Sequence, residues 1–343
     1  MQNHNTTKFD LDRPWDHAMT PKATGNAARI IAMQLKAAAR KSTVTDNTEL
    51  SEAEPSQPKT PIPKKEKLSS EKPDVVAPDL ESSQYQLMLP LYGEAERAIP
   101  NTLARTSLFA PIAAGNRPLY DRELIAGRSD IKIYYTGRQL DMADSDVFMQ
   151  ALAEQKKHPV GTNFFINRGA FLRSMGRSTG KGDYKWLHES IRRLSLGALE
   201  IEAGPIRIEG EKEGKTRERL FHLIAGYDLD ETVDQYYLRL DPRVIELFKN
   251  HQFGLVDWDK RLAIAKQRDM AKWLQNYIST HQKGTHRIGL HYLREWMCYS
   301  SPLYKFRGAL TKALDELARL EIIKDQRLEM STRDQEQAAW EKL

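Results

Sequence analysis

The chain has a single cysteine, Cys298, in 343 residues. That excludes an intramolecular disulfide and any thiolate-rich metal site, and it fits a reducing compartment. No apolar run reaches the roughly 18 residues that a membrane-spanning helix needs. Residues 1–16 also lack the apolar stretch and small-residue cleavage site of a secretory signal. The expectation is a cytoplasmic protein held together by packing alone. Between residues 41 and 84 the deficit is different: there are six prolines but no aromatic residue and no glycine. Such a stretch buries too little apolar surface to offset the entropy of ordering it, which predicts a disordered linker.

What is present starts with charge. Fifty-two Lys and Arg against 47 Asp and Glu leave a net +5, with a pI near 9.0. That balance is compatible with a nucleic-acid partner but does not identify one. Residues 25–41, "GNAARIIAMQLKAAARK", offer Asn26 as an N-cap. Ile31, Leu35 and Ala38 fall on one face, so a short basic helix is expected within an otherwise disordered tail of residues 1–83.

From Thr102 onwards helix and strand spacings return, and the region repeats itself faintly at an offset of 120 to 121 residues. "FLR" at Phe171 recurs as "YLR" at Tyr292, Lys185-Trp186 as Lys305-Phe306, and "LEI" at Leu199 as "LEI" at Leu320; Met149 and Leu152 match Met270 and Trp273. The matches keep order and register, which predicts two copies of one module. Each copy reads as helix, strand, helix, turn, helix, hairpin. The first has helices over about 145–157 and 184–196, and Asn167 capping a short helix that ends near Gly176. The second has helices over about 260–281 and 302–320, with Ser301 and Pro302 at N-cap and N1. The expected fold class is therefore α+β: two tandem winged helix-turn-helix domains behind a disordered tail. The divisions are 1–83 tail, 84–100 peptide and linker, 101–255 first domain, 256–330 second domain and 331–343 C-terminal tail.

The third helix of each copy has a buried stripe, Leu187, Ile191 and Leu194 in one and Phe306, Leu310, Leu314 and Leu317 in the other. The opposite faces carry the candidate DNA contacts: Lys181, Lys185, Arg192 and Arg193 in the first copy, and Tyr304, Lys305, Arg307 and Lys312 in the second. Arg307 lies toward the edge of its stripe. The hairpin "ALEIEAG…RLFHLIAG" is expected as the first wing, with Arg217 and Arg219 on phosphates.

No catalytic constellation accompanies these features. "GRSTGKGD" at residues 176–183 has three residues between its glycines where a P-loop needs four, and glycine follows the lysine. His281, His286 and His291 are five apart and share no helical face, so no metal site is expected. The Tyr134-Tyr135 and Tyr236-Tyr237 pairs sit in alternating strand patterns and read as core rather than as nucleophiles. The expectation is a non-enzyme without a cofactor.

Four stretches, "RAIPNTLARTSLFAP" from Arg97, "DIKIYYTGRQLDMADSDVF" from Asp130, "FGLVDWDKRLAIAKQRDMAKWLQNYISTH" from Phe253 and "KFRGAL…ALDELARLEII" from Lys305, resemble the TrfA family of plasmid replication initiators. The resemblance covers roughly residues 84–325. It implies two winged-helix domains on directly repeated sites (iterons) in the double-stranded DNA of a plasmid origin, opening of that origin, and recruitment of host replication proteins in the bacterial cytoplasm. It also implies contacts with the replicative helicase and the chromosomal initiator, and a monomer–dimer equilibrium that limits copy number.

"QLMLPL", residues 86–91, is similar to the short peptide by which bacterial replication proteins hold the sliding clamp. In that reading Gln86 contacts the pocket rim, while Leu87, Leu89 and Leu91 anchor in it. The alternative is a linker that packs on its own domain. For the whole chain the rival reading is a winged-helix transcriptional repressor that binds a palindromic operator as a dimer.

Overall fold

Alternation and capping account for most of the local structure. The computed structural model describes residues 88–113, 115, 117–129, 132–203 and 220–343. The expected tail helix, the linker, Gln86, Leu87, Arg217 and Arg219 lie outside them. Strand β1 (Glu96–Pro100) is followed by the short helix α1 (Asn101–Ala104), then β2 (Phe109–Ala110), β3 (Leu119–Leu124), β4 (Lys132–Arg138) and β5 (Leu140–Asp141). Asp141 starts helix α2 (Met142–Gln155) through a capping box with Asp144, which satisfies otherwise orphaned backbone N–H groups.

The first module continues with β6 (Phe164–Asn167), α3 (Arg168–Ser174) and α4 (Lys181–Leu196). In β6, Phe164 and Ile166 point inward while Phe165 faces out. Asn167 caps α3, its side chain accepting from the Ala170 N–H at 2.9 Å, and Gly176 takes φ +67° just beyond, as expected for that helix and its end. After α4 come β7 (Ala198–Ala203), β8 (Leu220–His222), β9 (Ile224–Asp230) and β10 (Gln235–Leu240).

The hairpin expected as the first wing does pair, β7 with β8, but in another place. It belongs to a four-stranded sheet of order β3-β4-β7-β8. The strands that return to β6 are β9 and β10, in the order β6-β10-β9. The inward side chains of β10, Tyr236, Leu238 and Leu240, supply the apolar face that a strand at this central position needs.

A 3-10 segment (Pro242–His251) leads to β11 (Phe253–Asp257), which pairs antiparallel with β1. The division expected between residues 255 and 256 therefore falls inside a strand. The long helix expected over 260–281 is two, α5 (Trp258–Ala263) and α6 (Asp269–Ser279), because Gln267 adopts φ +62° and the intervening residues leave the helical path. The second module follows as β12 (Gly284–Gly289), α7 (Leu290–Trp296), α8 (Leu303–Arg319), β13 (Ile323–Met330) and β14 (Glu336–Lys342), with the sheet order β12-β14-β13. Pro302, not Ser301, is the N-cap of α8. Residues 331–343, expected as a tail, supply the central strand of this sheet, with Ala338, Ala339 and Trp340 buried.

Residues Asp79–Leu343 form one compact unit whose buried side chains make one continuous cluster, from Phe148 and Leu187 in the first module to Trp273 and Phe306 in the second. Polar links cross the same seam. Asp146 of α2 accepts from Arg261 Nε of α5 at 2.8 Å and from Lys272 Nζ of α6 at 2.7 Å. Burial alone would push the Asp146 carboxyl up; the two cations outweigh it and hold it below the usual carboxylate range. Trp273 donates to the Thr106 carbonyl at 3.2 Å, Trp258 to the Ser174 carbonyl at 2.8 Å, and Asn276 to Ser145 Oγ at 3.1 Å. Replacing Asp146 by Ala leaves the Arg261 guanidinium, whose side chain is 0% exposed, without its counter-charge. The expected cost is about 3–5 kcal/mol in urea unfolding, most of it recovered in the double variant Asp146→Ala, Arg261→Met.

Candidate nucleic-acid interface

Helix α4 packs Leu187, Ile191 and Leu194 inward, each fully buried, for about 1.5–3 kcal/mol apiece. At 3.6 residues per turn, that stripe turns Lys181, Lys185 and Arg192 to solvent, where all three are exposed. None of these three makes an ion pair among the described residues.

Arg193 was expected beside them and is placed elsewhere. Its Nη2 donates to Asp144 Oδ1 at 2.8 Å, and Ser190 Oγ donates to the same carboxylate at 2.6 Å. Arg117 completes the site by donating from Nη1 to Asp144 at 2.8 Å and by pairing with Asp141. Arg193 is thus a pin between α4 and α2, and it is withdrawn from the exposed basic face. The reason is angular, since one residue beyond Arg192 turns the side chain about 100° toward α2.

Helix α8 repeats the arrangement. Phe306, Leu310, Leu314 and Leu317 are buried, whereas Tyr304, Lys305 and Lys312 are exposed, Tyr304 by 67%. Arg307 is occupied by the second module's own sheet, its Nε donating to Glu336 of β14 at 3.0 Å. It is a partly exposed ion pair rather than a free cation.

Each of these faces also carries a glycine, Gly182 in α4 and Gly308 in α8. A Cβ added at either would meet no atom of the chain within 4 Å. A glycine inside a helix costs about 1 kcal/mol relative to alanine, so packing within the chain does not explain Gly308. Beside Gly308 a groove of about 410 Å³ opens, bordered by Gln267, Arg268, Tyr304, Lys305 and Lys312.

The hairpins differ between modules. The β9–β10 turn of the first carries Asp230, Glu231 and Asp234, a charge unsuited to phosphate. The β13–β14 hairpin of the second carries Lys324, Arg327 and Arg333 among its acids, with Arg327 donating to Glu329 at 2.7 Å and Lys324 paired to Glu341 at 3.1 Å. The exposed cations Lys266 and Arg268 were missed by sequence reading because they fall in the break between α5 and α6, which carries neither glycine nor proline as a signal.

Of the clamp-type peptide, Leu89 is 2% exposed and belongs to the chain's own core, while Leu91 is 85% exposed. The two side chains are therefore not presented together. His281 and His286 lie ring to ring at 5.0 Å, with burial pushing His281 down to about 4, and among the described residues no group of three His, Cys, Asp or Glu could hold a metal ion. Tyr236 is buried with its hydroxyl 2.9 Å from His188 Nδ1, and Tyr135 donates to the Arg138 carbonyl at 2.9 Å. No described helix is long and apolar enough to cross a membrane.

The family described as "TrfA protein" matches residues 77–329. The chain belongs to the TrfA family. Among relatives, it is 24% identical over 226 residues to "Plasmid replication initiator protein TrfA" of Escherichia coli, a match covering 64% of this chain and 56% of that protein. It is also 24% identical to "RepFIB replication protein A" of Escherichia coli and of Salmonella typhi, over 67% of this chain and 68% of each relative. The chain thus matches little more than half the length of the TrfA relative. Crystal structures of domains 2 and 3 of RctB are similar over 71% of this chain and 98% or 96% of theirs, with TM-scores of 0.47 and 0.45 and 12% identity.

For this TrfA-family chain, Arg192 and Arg193 are neighbours with opposite assignments. Arg193→Ala should lower stability by about 2 kcal/mol, because Asp144 loses a charged donor, and leave the salt dependence of DNA binding unchanged. Arg192→Ala should do the reverse, lowering the log–log salt slope by about 0.9 with an unaltered urea midpoint.

Proposed function

We propose that this chain is a plasmid replication initiator that binds directly repeated sites in origin DNA through two tandem winged helix-turn-helix modules. The observation that carries the reading is the pair of faces on α4 and α8, each with exposed lysines, no ion pair to neutralise them, and a glycine over open space. The order helix, strand, helix, helix, strand, strand in the second module, and the same order in the first once β7 and β8 are set apart in their own sheet, with the first strand beside the last in each, supports the winged-helix assignment. Membership of the TrfA family supports the replication role.

In this reading α4 and α8 each enter a major groove, where Lys185 and Lys305 reach base edges or flanking phosphates. Arg192 and Lys312 neutralise phosphates, and Tyr304 contacts the sugar–base edge beside Lys305. Since the first module's β9–β10 hairpin is acidic, its DNA contact rests on α4, from Lys181 at its start to Arg192. Arg217 and Arg219, outside the described residues, are proposed as further phosphate contacts. The two faces differ in sequence, so one chain reads an asymmetric site, which suits direct repeats better than a palindrome. Binding energy and DNA deformation then open the origin without a catalytic step.

The partner roles are extensions of the same reading: the sliding clamp on residues 84–100, the helicase and chromosomal initiator, and a second copy of the chain. Clamp binding through Gln86, Leu87 and Leu91 requires Leu89 to leave the core, which makes the peptide either docked on its own domain or held by the clamp.

Two measurements test the proposal. Gly308→Ala should stabilise the chain by up to about 1 kcal/mol yet weaken binding to repeat-bearing duplex; undiminished affinity would remove that face of α8 from the interface. Gln86→Ala with Leu91→Ala should abolish clamp capture in a surface-binding assay and spare DNA affinity. If capture survives, the peptide is structural only.

A further inference from the structure

Residues 264–268, the break between α5 and α6, are held too firmly for an incidental linker. Ile264 is 6% exposed and anchors the segment in the core. The next backbone N–H, that of Ala265, donates to Glu316 Oε1 of α8 at 2.8 Å, and Arg319 holds Glu316 from the other side, its Nη2 also donating to the Ala263 carbonyl at 3.1 Å. Gln267 then takes the left-handed conformation, φ +62°, that non-glycine residues occupy at a cost. The result is that Lys266, Gln267 and Arg268 are all exposed, and neither cation makes an ion pair among the described residues.

Their position matters more than their charge. Gln267 borders two grooves at once. One, of about 410 Å³, has Arg268 on its rim and Tyr304, Lys305 and Lys312 of α8 opposite. The other, of about 300 Å³, has Lys266 on its rim and Gly176, Arg177 and Trp186 of the first module opposite. Arg177 is fixed there, its guanidinium carbon 3.6 Å from the Trp186 ring centroid and its Nε donating to Asp183 at 3.0 Å. Of the acids bordering the grooves, Asp146 is engaged with Arg261 and Lys272; Asp183, the partner of Arg177, also binds Ser178. Asp269 also borders the second groove, and burial pushes its carboxyl up from the usual range.

We infer that residues 265–268 form a third DNA contact, a phosphate-binding loop that follows the sugar–phosphate backbone between the segments read by α4 and α8. This rests on the proposed reading of those two helices. Cations that flank both grooves and share one strained residue match a polyanion passing from one module to the other better than they match a compact ligand. The Glu316 anchor ties the loop to α8, so the loop also sets the offset between the two base segments: it positions and does not specify.

The test uses the full chain on the duplex that wild-type protein protects next to its own gene, with Lys266→Ala, Arg268→Ala together and, separately, Arg268→Glu. Hydroxyl-radical cutting should show wild-type protection of two segments and of the phosphates between them. The double variant should keep the outer protections, lose the middle one, and show a log–log salt slope smaller by about 1.8, two contacts at about 0.9 each. Arg268→Glu should lose the same middle protection. Unchanged middle protection and slope in both variants would overturn the loop's role and leave the two-helix reading intact. A wild-type chain with no sequence-specific protection at all would overturn both.

Discussion

The buried carboxylate of Asp146, shared by Arg261 and Lys272, is the constraint on which the rest depends. It joins the first helix of one module to two helices of the other in a place where water contributes little screening. Alone it would be a poor source of stability, because desolvating three charged groups cancels much of their attraction. Its value is geometric. An ion pair of this kind tolerates only one arrangement of α2, α5 and α6, and the surrounding links from Trp258, Trp273 and Asn276 have the same requirement. The β1–β11 ribbon adds a backbone tie across the same division. The two basic helices mounted on such a seam have a fixed offset, and a fixed offset is what the proposed recognition of one long asymmetric site needs.

The two modules have diverged around that common plan. Both keep an apolar stripe on the third helix, an exposed basic face and a glycine with nothing near it. They differ in the hairpin, acidic in the first and mixed with basic residues in the second, and in the extra four-stranded sheet that only the first carries among the described residues. In the proposed reading, phosphate neutralisation falls on helix faces and on the loop between modules, rather than on two equivalent wings.

Much of this was legible in the sequence because it depends on local rules. The stripe Leu187, Ile191, Leu194 follows from helical period alone, and Asn167 and Gly176 are read directly from capping chemistry. The repeat at Met149/Met270 and Lys185/Lys305 located both third helices. What was not legible depends on partners far along the chain. The β7–β8 pair was foreseen, but its sheet is chosen by β4, more than sixty residues earlier, which no turn signal encodes. Arg193 looks like Arg192 until Asp144 is brought beside it. "EQAAWEK" has none of the β-branched residues that mark strands, and becomes one because a central position between β12 and β13 is open to it. Leu89 could be read as a free anchor only as long as its burial was unknown. The strained Gln267 sits in a run with good helical propensity, so tertiary anchoring by Glu316 overrides it.

The central claim is that one chain carries two fixed, dissimilar DNA-reading faces. A footprint of the purified full chain on the DNA flanking its own gene tests it most directly. The account predicts several evenly spaced protections, each about two helical turns long and all in one orientation. A single palindromic protection over a promoter would contradict it and would favour a dimeric repressor.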